Sequence, residues 1–269
     1  MNRRAIVAIV RRDLTLVARA RAVMVPLVIV PLLFFIAFPV LAALAVRAGG
    51  DVMAEFEPLL DILPGRIVED LGSGPIEAQV LAYLFEYQFA TFFLIVPLMV
   101  CAVIAADSFA GEKERRTLEA LLYSPISDRE LYVAKLLGPW VAALIVSLLS
   151  YVVYAIIVNL LAAPTVGRPL AISPLWLIVV GWLGPATGAL AISVLVVVSA
   201  RVRGFQEAYQ LGGAIVLPVV VLIVAQLAGV LVLDAALAVL LGAIVWAVAA
   251  AVLLVASRGF RREALLRQV

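Results

Sequence analysis

Residues 107–135 read DSFAGEKERRTLEALLYSPISDRELYVAK and form the one sizeable polar stretch on the basic side of an otherwise apolar chain. A long apolar run precedes this stretch at 84–106, and another follows it at 136–162. Each run is long enough to cross about 30 Å of hydrocarbon as an α-helix. The polar stretch therefore separates two predicted membrane helices.

Composition extends this interpretation to the whole chain. The sequence has 269 residues, of which 66% are hydrophobic and 14% are charged. A soluble domain of this size could not bury so much apolar surface. We therefore predict an all-α, polytopic membrane protein with six transmembrane helices, which lie at about 22–46, 84–106, 136–162, 173–199, 209–232 and 235–257. Pro75 suits a helix start, so the second helix is expected to extend outward to about residue 76.

The basic residues predict the orientation, because cytoplasmic loops are enriched in Lys and Arg. Of the 20 Lys and Arg residues, 17 lie in the N-terminal segment, the 107–135 loop, the 200–208 loop and the tail 258–269. The opposite side has three, which are Arg47, Arg66 and Arg168. Both termini are therefore expected in the cytoplasm, with the chain in the cell (inner or plasma) membrane. The first helix has no cleavage pattern and is expected to be retained.

The alternation of basic and apolar residues in 1–21 predicts an amphipathic helix in the inner headgroup layer of the lipid bilayer. Its basic side carries Arg4, Arg11, Arg12 and Arg19, and its apolar side carries Ile6, Val10, Leu14 and Val17. Asp13 interrupts the apolar side. Two readings stay open: a salt bridge to a cytoplasmic arginine, or a rotated helix with Asp13 in water.

The external loop 48–82 is acidic with interleaved apolar residues. Breaks at Pro64-Gly65 and Gly72-Ser73-Gly74 predict short interfacial helices. A cap on the outer membrane surface is favoured over a ligand-binding domain.

Composition also limits the chemistry. The chain has no histidine and one cysteine, Cys101, which excludes an internal disulfide and effectively excludes Cys/His metal sites. A phosphate-binding loop needs G-K-S/T, yet Lys113 and Lys135 follow Glu112 and Ala134. No catalytic, cofactor-binding or metal-binding residue is predicted on this chain, and no nucleic-acid partner.

Within 107–135 the sequence predicts two short helices. Leu118, Leu121 and Leu122 form an apolar stripe on the first helix, which ends at Ser124-Pro125. Ser127 and Glu130 then form a capping box that starts the second helix. Residues alone leave two readings open: a loop whose leucines rest on the bilayer, or a docking element for a soluble partner.

Residues 112–127, EKERRTLEALLYSPIS, resemble the signature of the ABC type-2 permease family, E-x-x-x-G-T-L-E-x-L-L-x-S/T-P-V/I-S. Arg12-Asp13-Leu14, Arg19, a proline-punctuated first helix and the six spans are similar to that family too. Arg116 departs from the pattern, which usually has glycine there. The short link between spans five and six is a second departure, because relatives with a fused ATPase carry a sizeable outer hairpin at that point.

The resemblance implies the membrane-spanning permease subunit of an ATP-driven ABC exporter. It implies a second permease copy, identical or paralogous, that completes a dimeric pathway, and a separate ATPase subunit that holds ATP and Mg²⁺. The 107–135 loop would couple to that ATPase, and the N-terminal helix would be a second contact element. The implied coupling residues are Glu112, Arg115, Arg116, Thr117, Leu118, Glu119, Leu121 and Leu122.

Two other classes of protein compete with this interpretation. An ion-driven secondary transporter needs titratable groups near the membrane centre, and the acid nearest a span, Glu86, lies by its outer boundary. An intramembrane enzyme would need a catalytic base, and none accompanies the serines in the spans. No residue in the spans identifies a substrate-binding site.

Overall fold

The structure is a computed structural model that describes residues 3–49, 56, 58–60, 62–114, 127–199, 201–202 and 204–259. The longer elements of the described ranges are helices, separated by turns. They are α1 (Arg3–Arg19), α2 (Val23–Ala48), α3 (Gly65–Leu71), α4 (Ile76–Gly111), α5 (Asp128–Leu161), α6 (Pro174–Ser199), α7 (Phe205–Leu227) and α8 (Ala235–Gly259). Six of them, all except α1 and α3, are long and apolar enough to cross a membrane. The predicted all-α class with six transmembrane helices is confirmed, whereas the side of the termini and the interfacial position of α1 stay predictions.

Helix α4 lies at the centre of the bundle and is the most buried of the six. It begins at Ile76, directly after Pro75, as predicted. Helix α6 approaches α4 closely through Gly184 and Gly188. A Cβ atom on Gly188 would lie 3.0 Å from the Cys101 sulfur, so a side chain there would require the two helices or the sulfur to shift by a few tenths of an ångström.

Within the described residues, π-helical turns interrupt the membrane helices at Leu33–Ala37, Leu84–Gln88, Asp107–Gly111 and Val179–Leu183. Such turns free a backbone carbonyl from the regular ladder. In α4 the Phe85 carbonyl accepts hydrogen bonds from Tyr154 Oη at 2.8 Å and from Trp176 Nε1 at 3.1 Å. The Tyr154 and Trp176 rings also pack together, with centroids 4.8 Å apart. Helices α4, α5 and α6 are thereby joined in the half of the bundle where α4 begins.

The short helix α3 lies between the two predicted breaks, Pro64-Gly65 and Gly72-Ser73-Gly74. Arg66 pairs with Asp234 at 3.2 Å, at the start of α8. Arg168, between α5 and α6, donates a hydrogen bond to the Asp70 carbonyl oxygen at 3.1 Å. Helix α3 is therefore tied to the ends of three membrane helices.

At the opposite end of the bundle, α1 packs on the beginning of α5. Ile6 and Ile9 of α1 form a buried apolar cluster with Leu131 and Ala134 of α5. The predicted capping box starts α5: the Glu130 N–H donates to Ser127 Oγ at 3.3 Å, and the Ser127 N–H donates to the Glu130 carboxylate at 3.2 Å.

Candidate functional site

The polar segment that joins α4 to α5 is the candidate site, and the structure describes its two roots. Of the eight predicted coupling residues, Glu112 lies within the described residues. The other seven lie outside them: Arg115, Arg116, Thr117, Leu118, Glu119, Leu121 and Leu122. The roots are the π turn Asp107–Gly111 with the single helical turn Glu112–Glu114 on one side, and the capped start of α5 on the other.

Four buried side chains and one partly exposed arginine meet at these roots. We call Arg12, Asp13, Ser108, Glu112 and Lys135 the ionic cluster. Lys135 Nζ lies 2.5 Å from a Glu112 carboxylate oxygen and 3.4 Å from an Asp13 carboxylate oxygen. It also donates to the Ser108 carbonyl oxygen at 3.1 Å. Ser108 Oγ in turn donates to Asp13 at 3.3 Å. One ammonium group therefore joins α1, α4 and α5.

Arg12 closes the ionic cluster on its outer side. Its guanidinium lies 3.5 Å from Asp13 and 3.5 Å from Glu112. With two carboxylates and two cations, the formal charges of the cluster balance. This balance matters because an uncompensated charge in a desolvated site is costly.

Burial defines the electrostatics of the cluster. Lys135 is 1% exposed and Glu112 is 3% exposed. Desolvation raises the pKa of Glu112 above its ordinary value, and the neighbouring Lys135 ammonium opposes that rise. The cluster is thus a tightly packed electrostatic joint, not an open binding site.

Contact between Glu112 and an ATPase stays a prediction, and the structure shows what holds this side chain in the isolated subunit. The Glu112 carboxylate points into the protein and anchors the root of the coupling segment, because two cations hold it there. The same geometry decides between the two readings of Asp13. It is 4% exposed and paired with both Lys135 and Arg12, so the reading that leaves it in water is wrong.

The remaining residues of α1 follow the predicted faces. Arg4 and Arg11 are exposed, and Ile6 and Val17 are buried. The backbone of Arg19 ends α1, and its side chain lies outside the described part of the structure. Contact of the arginines with lipid stays a prediction.

A hydrogen bond joins the helical turn Glu112–Glu114 to α7. The Glu114 carboxylate accepts the Phe205 N–H at 2.9 Å, at the first turn of α7. Gly204 precedes this turn, and a Cβ atom there would lie 2.6 Å from the Glu114 carboxylate. An acceptor at a helix start satisfies an otherwise unpaired N–H group and suits the helix dipole.

Ser108 and Lys135 were not predicted from the sequence as partners of Asp13 and Glu112. Glu114 was not predicted as the side chain that caps α7. A signal existed for Lys135: a lone lysine in the apolar stretch LYVAKLLGPW needs a counter-ion once that stretch is buried. No comparable pattern marks Ser108 or Glu114, because hydroxyls and carboxylates near a loop are ordinarily solvated.

Glu86, a buried acid of α4 away from the ionic cluster, has its partners within the fold. Glu86 accepts the Ala171 N–H at 2.9 Å and the Ser173 hydroxyl at 2.8 Å. Across the described ranges, no group of three His, Cys, Asp or Glu residues is placed to hold a metal ion.

Comparison with known proteins gives one assignment. The profile of the family described as "ABC-2 family transporter protein" matches residues 7–243, which include most of α1, the ionic cluster and the coupling segment. No curated protein matches the chain. Because the family profile covers most of the sequence and the structure has six membrane-spanning helices, this chain belongs to the ABC-2 transporter family and is a multi-pass membrane permease.

Proposed function

We propose that the chain is the membrane-spanning permease subunit of an ATP-driven ABC exporter. Two permease copies, identical or paralogous, form the pathway, and a separate ATPase subunit docks on the coupling segment 107–135. Permeases of this family generally work with ATPase subunits. ATP and Mg²⁺ belong to that partner, because this chain lacks the G-K-S/T phosphate-binding motif.

The observation that carries the proposal is how the coupling segment is rooted. Glu112 is held by Lys135 of α5 and Arg12 of α1, and Glu114 caps α7. A displacement of the segment would therefore pull on α1, α4, α5 and α7 together. A loop that only connected two helices would not need a buried, charge-balanced joint at its base.

The helices are also suited to transmit such a displacement. Helix α5 runs without interruption from Asp128 to Leu161, about 50 Å at 1.5 Å per residue. Its far half packs on α4 and α6 through Tyr154 and Trp176. In the proposed mechanism, closure of the ATPase moves the ionic cluster, and α4 and α5 carry that motion to the opposite end of the permease.

The ion-driven alternative gains no support from the described spans. Its strongest candidate, Glu86, already accepts the Ala171 N–H and the Ser173 hydroxyl, with Arg168 4.0 Å away. A coupling carboxylate should have an oxygen free for its ion.

The decisive experiment is co-purification with the ATPase encoded beside this chain, followed by vanadate-sensitive ATP hydrolysis. We expect Leu118→Asp, Leu121→Asp and Leu122→Asp together to abolish association and hydrolysis, because three carboxylates would occupy the apolar docking stripe. Replacing the same three leucines with methionine should preserve both. Ile62→Asp with Val68→Asp is the matched control, because these exposed residues lie near the other end of the bundle.

Unchanged association in the aspartate variant, with the protein intact by gel filtration, would refute the docking assignment. A separate arm tests the energy source in vesicles with ATP held constant. Collapse of transport on addition of an uncoupler would instead favour the ion-driven alternative.

A further inference from the structure

The outward side of α1 has a strong excess of positive charge. We call this side the basic face; its members are Arg3, Arg4, Val7, Ala8, Arg11, Arg12 and Thr15. Among the described residues, no carboxylate pairs with the guanidinium of Arg3, Arg4 or Arg11, and only Arg12 has acidic neighbours. The described part of the protein therefore leaves most of this charge without a counter-ion.

Helical spacing places three of these guanidiniums around one small side chain. Arg4 lies one turn before Ala8, and Arg11 and Arg12 lie one turn after it, at spacings that make side chains neighbours on a helix surface. Ala8 is exposed and ends at its Cβ atom, so it leaves space between the three. Arginines that converge on one point suit a compact anion with several oxygens, such as a phosphate group.

Arg12 gives this arrangement one guanidinium of fixed position. The guanidinium lies 3.5 Å from Asp13 and 3.5 Å from Glu112 in the ionic cluster. The Arg12 side chain is also 37% exposed and lines the basic face. A donor that is already held in place loses less freedom when a ligand binds. A phosphate on the basic face would thus contact a residue that anchors the coupling segment.

The place of α1 favours a phospholipid as the source of that phosphate. Helix α1 ends at Arg19 and the membrane helix α2 begins at Val23, so α1 lies next to the membrane surface. Its opposite side packs on α5 through Ile6 and Ile9. Phospholipid phosphates are concentrated at this level, and the inner leaflet is rich in anionic lipids. Val7, which is 64% exposed among the arginines, suits contact with a lipid better than contact with water.

We propose that the basic face binds one anionic phospholipid of the inner leaflet, whose phosphate lies over Ala8 and accepts hydrogen bonds from Arg4, Arg11 and Arg12. A general attraction of the arginines to anionic lipid is enough to hold α1 in the headgroup layer, whereas this is a single site with defined donors. Binding requires no ATPase, so the lipid site and the proposed function can fail separately.

The test counts lipids on the detergent-solubilised chain by native mass spectrometry. The probes are dioleoyl phosphatidylglycerol and dioleoyl phosphatidylcholine, which has the same chains and a phosphate but no net charge. We expect one phosphatidylglycerol to bind about tenfold more tightly than phosphatidylcholine. Glycerol 1-phosphate has the phosphate without the chains, and at equal concentration it should not displace the lipid.

Three variants locate the site. Arg4→Lys with Arg11→Lys keeps the charge but removes the forked donors, so the affinity for phosphatidylglycerol should fall about tenfold. Ala8→Glu places a carboxylate between the arginines, so the preference for phosphatidylglycerol should disappear. Ala18→Glu is the matched control: Ala18 is exposed on the same helix, the change in charge is identical, and the preference should persist.

Several results would overturn the proposal. Equal binding of the two lipids by the unmodified protein, a measurement that depends on no variant, would exclude an anionic lipid site. Unchanged affinity in the lysine variant would mean attraction by charge alone, and so would an equal loss in Ala18→Glu. Displacement by glycerol 1-phosphate would mean a site for soluble phosphates. Absence of the lipid preference, together with weaker co-purification of the ATPase with Arg4→Gln and Arg11→Gln, would assign the basic face to the ATPase instead.

Discussion

At the scale of single residues, Lys135 contributes most to the charge balance of the ionic cluster. Lys135→Met removes the ammonium group but keeps an apolar stem of similar length. Asp13 and Glu112 would then share the site with Arg12 alone, which is partly exposed. Breaking a buried ion pair from one side typically costs about 3–5 kcal/mol. We therefore expect a clear fall in the thermal unfolding midpoint of the detergent-solubilised protein.

A triple variant separates charge imbalance from loss of packing. Adding Asp13→Asn and Glu112→Gln to Lys135→Met removes the opposing charges, so most of the lost stability should return. Arg66→Met is the exposed control, because the Arg66 side chain is 78% exposed and solvent screens its ion pair. A triple variant as unstable as Lys135→Met alone would show that the Lys135 stem, not its charge, supports the fold.

The raised pKa of Glu112 predicts a pH dependence of stability. Because the pKa is higher in the folded protein than in the unfolded chain, the folded state retains the proton to higher pH. The resulting stability is complete below the unfolded pKa and is lost as pH rises through the folded pKa. Thermal unfolding of the unmodified protein and of Glu112→Gln, followed across this acidic range, should show the advantage of the unmodified protein shrinking as pH rises. An advantage that grows with pH would mean that the Lys135 ion pair outweighs desolvation.

At the scale of elements, the start of α7 depends on a side chain from the coupling segment. Gly204→Ala would push the Glu114 carboxylate away from the Phe205 N–H. Loss of a helix cap costs about 0.5–2 kcal/mol, and a lowered unfolding midpoint should show it. Gly213→Ala, in the same helix, is the matched control, because its Cβ would meet no atom within 4 Å and alanine favours a helix.

The double variant Gly204→Ala with Glu114→Ala tests the cause. If Gly204→Ala acts only by displacing Glu114, the double variant should be no less stable than Glu114→Ala alone. Additive losses would assign the effect of Gly204→Ala to the backbone at Gly204 itself.

The membrane helices could be predicted from the sequence because run length and breakers are local signals. Pro75 correctly placed the start of α4, and Ser127 with Glu130 correctly placed the start of α5. The π turns were not predicted. In two of them a side chain from another helix bonds a carbonyl of the turn: Tyr154 and Trp176 bond that of Phe85, and Lys135 bonds that of Ser108. Tertiary contacts of this kind leave no periodic pattern.

The partners within the ionic cluster could not be predicted from the sequence either, because they too depend on tertiary contacts. The sequence indicated that Asp13 needs a partner, because it interrupts an apolar helix face. Its principal partner, Lys135, is 122 positions away, and only the packing of α1 on α5 brings the two together. The inward direction of Glu112 follows from that packing as well. A motif could identify the segment to consider as a docking element, but not that the Glu112 side chain turns inward.

At the scale of the whole molecule, charged side chains fasten both ends of an apolar bundle. The ionic cluster joins α1, α4 and α5 at one end, and Arg66 and Arg168 tie α3 across the other. Between the ends, the described contacts of α4 with α5 and α6 are apolar or aromatic packing with few polar links. Movement is therefore expected where ion pairs exchange, at the ends, while α4 and α5 stay packed on each other between them.

The orientation of this bundle in the membrane is predicted from the whole chain, because the prediction rests on the distribution of basic residues over all loops. A cysteine at Ser73, exposed in the turn after α3, should react with an impermeant maleimide added to intact cells. A cysteine at Arg201, exposed between α6 and α7, should react only after the membrane is permeabilised. The native Cys101 is fully buried, so the unmodified protein should stay unlabelled and serves as the control. The reverse pattern would place the coupling segment outside the cell, where no ATPase could reach it, and would refute both the orientation and the proposed function.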